Sequence, residues 1–374
     1  MKILHVAQAA GGVDRYLRML TPRLKAHGFE QMLLCSQDYK AADYDRCVDR
    51  FVAVEMGQSL NPVRVLKCAK AVRRAIRDYK PDIVYCHSSF AGGFGRLACI
   101  CTGVKVMYNP HGWAFDMRCS RVKKLVYLLL EKLLAKATDQ FVLISNAEEI
   151  SAIVHRIAPR RKMKVIFNGI DFGELRGKMA DSHVSRAALG IPDDACVVGM
   201  VGRISQQKAP DIFIQMASKL EKSIDNAHFV IVGDGDQREE ITALAHELGI
   251  SDRLHITGWV DNPIAYTALF DYAVLLSRWE GFGLVIAEYM FARKPVVATA
   301  VDAIPDLVTN GVNGLLVPAD DADAAAEAVG RLHSDRELRE KIVENAYKKV
   351  VACYDVERVA TEHIDVMNRL IKVK

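Results

Sequence analysis

Hydrophobic positions along the chain fall into short unbroken runs separated by longer amphipathic stretches. In the first half the runs lie at 3–8, 30–36, 82–87, 105–112, 140–145 and 164–170. Each is too short for a helix, and apolar runs of this length read as strands buried on both faces. Between them, 13–27, 61–79, 91–102 and 119–137 carry apolar residues at helical spacing. Strands alternating with helices predict a parallel sheet covered by helices. A polar stretch over 171–184 reads as a linker.

The pattern then restarts. Strand-like runs follow at 196–203, 228–236, 253–259, 271–277, 295–300 and 313–318, with a helix through about residue 248. The last segment, Val356 to about Lys372, is helical, with Val359, His363, Ile364, Met367 and Leu370 along it. The expected architecture is α/β, with two doubly wound, Rossmann-like domains in series that face each other across a cleft. The boundaries are 1–175 for the first domain, 185–355 for the second and 356–374 for a terminal helix.

Composition supports two cores, since 51% of the 374 residues are hydrophobic. The longest apolar runs, such as Leu125 to Leu130, are too short to span a bilayer. The opening MKILHVAQAAGG has no signal-peptide pattern. Nine cysteines show no CxxC pair and no zinc spacing. Reduced thiols in a cytoplasmic protein are the expectation. The net charge of +4 hides an asymmetry. Residues 1–180 carry 30 Lys and Arg against 16 Asp and Glu, net +14, and the remainder 20 against 30, net −10. The first half should therefore seek an anionic partner. No nucleic-acid-binding module is recognisable, so nucleic acid is set aside. Arg118, Arg121, Lys124, Lys132 and Lys136 share one helical face beside Val122, Val126, Leu129 and Leu133. Lys67, Lys70, Arg74 and Arg77 line up similarly on the helix after Asn61. Basic stripes beside leucines suit an anionic membrane surface, while ordinary solvated helix faces are the alternative.

Candidate chemistry concentrates in turns that follow strands. EGFGLVIAE, Glu280 to Glu288, brackets a glycine turn at a helix start with two carboxylates. Gly281 and Gly283 let the backbone approach a ligand. Free N–H groups at the helix start favour phosphate, and the carboxylates can accept from a polyol. That combination suits a nucleotide-sugar. GRISQQK, 202–208, places Arg203 and Lys208 in a loop on the same sheet edge, where two cations can clamp a diphosphate without a metal. A solvated basic loop is the alternative. Gly11-Gly12 ends the first strand without completing GxGxxG, so a dinucleotide fingerprint is absent. It is either a phosphate-facing turn or a plain tight turn. His111, in NPHGW, sits at a strand end where a ring or backbone contact to a sugar is open to it. In HSSFAGGFGR, 87–96, Ser88 and Ser89 read equally as ligand contacts and as an N-cap.

Taken in order, GGVDRYL, NPHGW, FNGID (167–171), GRISQQK, VGDGD and EGFGLVIAE resemble the retaining glycosyltransferases of family 4, the group 1 transferases with the GT-B fold. The resemblance spans nearly the whole chain and looks most like bacterial capsule and exopolysaccharide transferases. It implies that Arg203 and Lys208 hold the donor diphosphate, that Glu288 accepts from ribose hydroxyls and that Glu280 binds the donor sugar. The backbone of Phe282, Gly283 and Leu284 would lie nearby. Gly12 would approach the distal phosphate, His111 would contact the donor sugar, and Trp259 and Val260 would lie by the nucleobase. The first domain would bind the acceptor, the second the nucleotide-sugar, and the last helix would cross back onto the first domain. One departure stands out: Asp302-Ala303-Ile304-Pro305-Asp306 replaces the family's Gly-Gly-Ile-Pro-Glu.

The expected reaction is metal-independent, cofactor-free transfer from a nucleotide-diphosphate sugar, most simply a UDP-sugar. The acceptor would be a lipid-linked saccharide at the cytoplasmic membrane face. A soluble transferase acting on a sugar phosphate or small metabolite is the alternative. A nucleotide-dependent oxidoreductase is disfavoured by the missing fingerprint. A non-catalytic nucleotide-sugar binder is disfavoured by the intact Arg203, Lys208, Glu280 and Glu288.

Overall fold

The computed structural model describes residues 1–8, 11–57, 61–117, 119–180 and 184–372. Contacts divide the chain into two compact units, Met1–Gly169 with Val356–Lys374, and Ile170–Asp355.

The first unit contains β1 (Lys2–Ala7), α1 (Gly12–Ala26), β2 (Glu30–Cys35), β3 (Arg50–Ala53), α2 (Pro62–Tyr79), β4 (Ile83–His87), α3 (Ser89–Cys99), β5 (Lys105–Asn109), α4 (Arg121–Leu134), β6 (Gln140–Leu143), α5 (Asn146–Val154) and β7 (Met163–Val165). The strands form a parallel sheet in the order β3-β2-β1-β4-β5-β6-β7. Its register sets His5 beside Tyr85 and His87 beside Asn109. Alternate residues of β1 feed opposite faces: Leu4 and Val6 join one core, Ile3 and Ala7 the other. The C-terminal helix, Val356–Lys372, buries Val359, His363 and Met367 in that second core beside Leu17 and Leu20 of α1.

The second unit contains α6 (Phe172–Met179), β8 (Cys196–Val201), α7 (Pro210–Leu220), β9 (Ala227–Val232), α8 (Arg238–Glu247), β10 (Leu254–Ile256), β11 (Tyr272–Leu275), α9 (Leu284–Phe291), β12 (Val296–Thr299), α10 (Ile304–Leu307), β13 (Leu315–Val317), α11 (Ala322–Ser334) and α12 (Arg336–Cys353). Its parallel sheet runs β10-β9-β8-β11-β12-β13. Both sheets grow outward from their first strand in one direction and then in the other, which is doubly wound topology. The reversal falls between β1 and β4 in one unit and between β8 and β11 in the other.

Several elements differ from their sequence reading. β3 was not anticipated: it has four residues, only partly buried, and pairs with β2 alone. The stretch read as a linker from 171 contains α6, which Asp171 caps by accepting from the Glu174 N–H at 2.9 Å. Gly173 and Gly177 and a single buried residue, Leu175, kept that helix out of the hydrophobic pattern. The run at 164–170 is strand only to Val165. Arg118 lies outside the described residues. α4 inverts the usual helix: its one fully buried residue is Glu131, while Val122, Leu125, Leu129 and Leu133 are exposed.

Candidate functional site

In doubly wound sheets ligands bind beyond the carboxyl ends of the strands at the reversal point. In the second unit β8 and β11 flank that point, and they lead into 202–208 and 276–283.

The loop after β8 is pinned by backbone contacts. Gly202 N–H donates to Val232 O at 3.0 Å and Ile204 N–H to Asp234 O at 2.9 Å. The turn after β9 must be glycine-rich for this approach. A Cβ at Gly233 would stand 2.2 Å from the Gly202 oxygen, and one at Gly235 2.0 Å from the Ile204 oxygen. Lys208 ends the loop and forms an ion pair with Glu280, with the two side chains only 17% and 11% exposed. The Ser277 hydroxyl donates to the same carboxylate oxygen at 3.2 Å. Glu280 N–H donates to Asp302 Oδ2 at 2.8 Å. Arg278 ties the two loops together through Gln206 O at 3.0 Å and ion pairs with Asp211 and Asp320. Glu280 stands five positions beyond the end of β11, not at the strand end itself.

Arg203 is exposed, and its side chain has no ion pair or hydrogen bond among the described residues. The cation next to it in the motif is thus engaged and this one is open. Gly283 holds a left-handed φ of 82° and starts α9 with no side-chain cap. Leu284 is partly exposed and Phe282 is buried, with its ring 5.8 Å from that of Tyr354. Glu288 lies buried on α9, and its neighbour Tyr289 accepts from Val201 N–H at 2.6 Å, fastening α9 to β8. Trp259 is 70% exposed and Val260 partly so; they follow Gly258, which bridges to Gly233. The second unit therefore assembles Lys208, Glu280 and Asp302 in direct contact, with Arg203 on the same loop. Asp306 sits apart on α10, with its backbone oxygen accepting from Lys349 and Tyr354.

In the first unit Gly12 is the exposed first residue of α1, and a Cβ there would meet nothing within 4 Å. His111 lies past β5 with φ 51°, held by its N–H to Asn109 Oδ1 at 3.0 Å. Its ring lies 4.7 Å from Tyr16 and is 3.3 Å, nitrogen to nitrogen, from His87. Ser88 precedes α3 at φ 72° without capping it, and its hydroxyl is buried without a partner among the described residues. Glu148 was missed in the sequence. Its buried carboxylate accepts from Gly112 and from Ile144, the latter at 2.8 Å, and burial raises its pKa to about 7. The S-x-x-E pattern at Ser145–Glu148 marks this helix start, and Ser145 does cap Glu148 N–H at 3.1 Å. Asp302 and Ser277 had no such signal, because their importance comes from where β12 and β11 end.

Comparison with known proteins identifies the family. The family model for glycosyl transferases group 1 matches residues 181–349, and that for glycosyltransferase family 4 matches residues 10–174. An uncharacterized glycosyltransferase of Methanocaldococcus jannaschii is 30% identical over 77% of this chain and 75% of its own. The chain belongs to the group 1, family 4 glycosyltransferases. It is also 28% identical, over 98% of this chain and 97% of the other, to the Escherichia coli UDP-Gal:alpha-D-GlcNAc-diphosphoundecaprenol alpha-1,3-galactosyltransferase. The solved structure of Anabaena HepE in complex with UDP-glucose superposes with a TM-score of 0.82, at 22% identity, covering 99% of this chain and 100% of that one. The protein is a glycosyltransferase whose two Rossmann-like units are those of the GT-B fold, and it has relatives in capsule and lipopolysaccharide biosynthesis.

Proposed function

We propose that this transferase moves a sugar from a UDP-sugar, with retention of configuration, onto a lipid-linked saccharide in exopolysaccharide or capsule synthesis. The observation that carries the reading is the pairing of Lys208 with Glu280 beside the open guanidinium of Arg203, at the reversal point of the second sheet. Breaking a sugar–phosphate bond builds negative charge on the diphosphate. Arg203 and Lys208 supply fixed positive charge there, in place of a metal. Glu280, held by Lys208 and Ser277, accepts from sugar hydroxyls as an orienting group, and the departing phosphate takes the acceptor's proton on the same face. Glu288 accepts from the ribose, Phe282, Gly283 and Leu284 offer backbone at the start of α9, and Trp259 and Val260 flank the base. The resemblance assigns Gly12 a phosphate contact and His111 a sugar contact. The E. coli relative named for a UDP-sugar and a diphosphoundecaprenol acceptor, and the UDP-glucose complex of HepE, support the donor and acceptor classes.

The surface of the first unit supports a lipid-borne acceptor. No described helix is long and apolar enough to cross a membrane. α4 instead exposes Val122, Leu125, Leu129 and Leu133 beside Arg121, Lys124 and Lys132, and α2 exposes Val63 and Leu66 beside Lys67, Lys70 and Arg74. Exposed leucines among cations fit the interface of an anionic leaflet.

The test is UDP release from a panel of UDP-sugars, with and without vesicles carrying polyprenyl-diphosphate saccharides, for wild type and Arg203→Ala. Release from one donor that needs the vesicles and is lost in the variant supports the proposal. Turnover on a water-soluble acceptor alone favours the soluble alternative. No release and no UDP binding would refute it.

A further inference from the structure

The first sheet carries a row of imidazoles of which the reaction above uses only His111. Gln31 on β2, His5 on β1, His87 on β4 and His111 past β5 form a continuous hydrogen-bonded line. Gln31 Oε1 lies 3.2 Å from His5 Nε2, His5 Nδ1 3.2 Å from His87 Nε2, and His87 Nδ1 3.3 Å from His111 Nε2. Gln31, His5 and His87 are fully buried.

The proton positions along this line follow from its first member. The Gln31 amide nitrogen sits 2.8 Å from Thr21 O and 2.9 Å from Cys47 O. Backbone carbonyls only accept, so the NH2 must face them and the amide oxygen must face His5. His5 therefore carries its proton on Nε2. Burial keeps His5 neutral, lowering its pKa to about 4, so its Nδ1 is bare and must accept from His87. His87, held far below its ordinary pKa, donates through Nε2 and leaves its own Nδ1 to accept from His111. His111, lowered to about 3, is neutral in turn, with its proton on Nε2. Its Nδ1, on the other side of the ring, has no hydrogen-bond partner among the described residues.

A second anchor closes the cluster from below. His363 donates through Nδ1 to Val359 O at 2.7 Å, so its Nε2 is bare and accepts from Tyr16 at 2.6 Å. Tyr16 in turn packs its ring edge-on to His111. A row of imidazoles suggests a proton wire, but this one is blocked at its origin. Shuttling a proton would require Gln31 to turn its amide and surrender both carbonyl partners at once.

We propose that Gln31 is a positioning residue. Through His5 and His87 it locks His111 as the Nε2–H tautomer and presents the bare Nδ1 of His111 as an acceptor for a ligand hydroxyl. This rests on the transferase reading only for the identity of that hydroxyl, which would belong to a sugar.

The test reads the tautomer directly. Long-range proton–nitrogen NMR of nitrogen-15-histidine protein at pH 7.5, with the His111 signals assigned from His111→Asn, should show protonated Nε2 and bare Nδ1. Protonated Nδ1, or an imidazolium, would overturn the proposal. Gln31→Met keeps length and removes the acceptor. In the folded variant a second tautomer should appear at His111, and kcat/KM for the nucleotide-sugar should fall about tenfold, the order of one hydrogen bond. UDP affinity should be unchanged. An unaltered His111 tautomer in folded Gln31→Met would also overturn it. A locked tautomer in a protein that turns over no nucleotide-sugar would uphold the lock and refute the transferase proposal, so the two failures are distinguishable.

Discussion

Lys208 and Arg203 sit on one loop and carry the same charge, yet their surroundings predict different phenotypes on removal. Lys208→Met strips the partner from a Glu280 carboxylate that is only 11% exposed. Breaking a fully buried pair costs about 3–5 kcal/mol, because a charge is left uncompensated. Here Ser277 still donates to the carboxylate, and some solvent reaches it. Those two effects reduce the expected cost to roughly 2 kcal/mol. For a unit the size of Ile170–Asp355 that is a melting shift of about 4–8 °C. Arg203→Ala removes an exposed side chain with no partner among the described residues, and stability should stay within about 0.5 kcal/mol. If the two cations face the leaving diphosphate as proposed, each variant should lower kcat about 10²- to 10³-fold. Lys208→Met with Glu280→Gln should recover much of the lost stability and none of the activity. Thermal melts and UDP-release rates at saturating donor measure all of this. Equal melting shifts in the two single variants would show that the Lys208–Glu280 pair is not a shielded contact. Near-normal turnover in either would remove that cation from the reaction.

Three further outcomes follow from other parts of the molecule. Gly12→Ala meets no atom within 4 Å and should leave melting unchanged, yet turnover should fall more than about tenfold if a donor phosphate approaches that backbone; normal turnover would count against that role. Glu148 has a folded pKa of about 7, above its unfolded value of 4.5, so the native state binds the extra proton and the contribution of Glu148 to stability should decline as pH rises between those values. His5, His87, His111 and His363, held below their ordinary pKa by burial, act in the opposite sense in both proteins, so denaturant titrations from pH 4 to pH 8 should show wild type losing roughly 3 kcal/mol relative to Glu148→Gln. Arg121→Glu with Lys124→Glu and Lys132→Glu should abolish sedimentation with anionic vesicles, whereas Leu129→Asp should weaken binding to neutral ones as well; unaltered binding in the triple variant would end the electrostatic part of the membrane proposal.

The hydrophobic pattern was enough to read most strands because parallel strands buried on both faces are unbroken apolar runs. It failed where burial is partial or glycine intervenes, as at β3 and at α6. Motif reading found Lys208, Glu280 and Arg203 because glycine turns and charges beside apolar runs are visible locally. It could not find Ser277, Asp302 or Gln31. Asp302 reaches the Glu280 N–H only because β11 and β12 are neighbours in the sheet, with Ala273 beside Val296. Gln31 matters because β2, β1, β4 and β5 lie side by side, an order no linear spacing encodes. His363 read simply as one position on an amphipathic helix. That it meets Tyr16 and Tyr85 depends on contacts across 347 and 278 residues, which a single sequence does not display.

The two sheets share a strand order and differ in the charge they place at its reversal point. The second unit gathers Arg203, Lys208, Glu280 and Asp302 there, all ionic groups. The first gathers His5, His87 and His111, which burial holds neutral, with Tyr16 and Tyr85 below them. The net charge of +14 over residues 1–180 therefore does not come from that sheet edge. Much of it stands on the outer faces of α2 and α4, at Lys67, Lys70, Arg73, Arg74, Arg77, Arg121, Lys124 and Lys132. Charge meant for a small ligand would be expected at the strand ends, where the sheet focuses it. Charge spread over helix faces beside exposed leucines has the extent of a surface instead. The same asymmetry makes a separable prediction. Raising ionic strength should release the protein from anionic vesicles, each surface contact being screened. UDP affinity should change less, since Lys208 is shielded beside Glu280. Parallel loss of both with salt would mean that the basic helices serve the nucleotide and not the membrane.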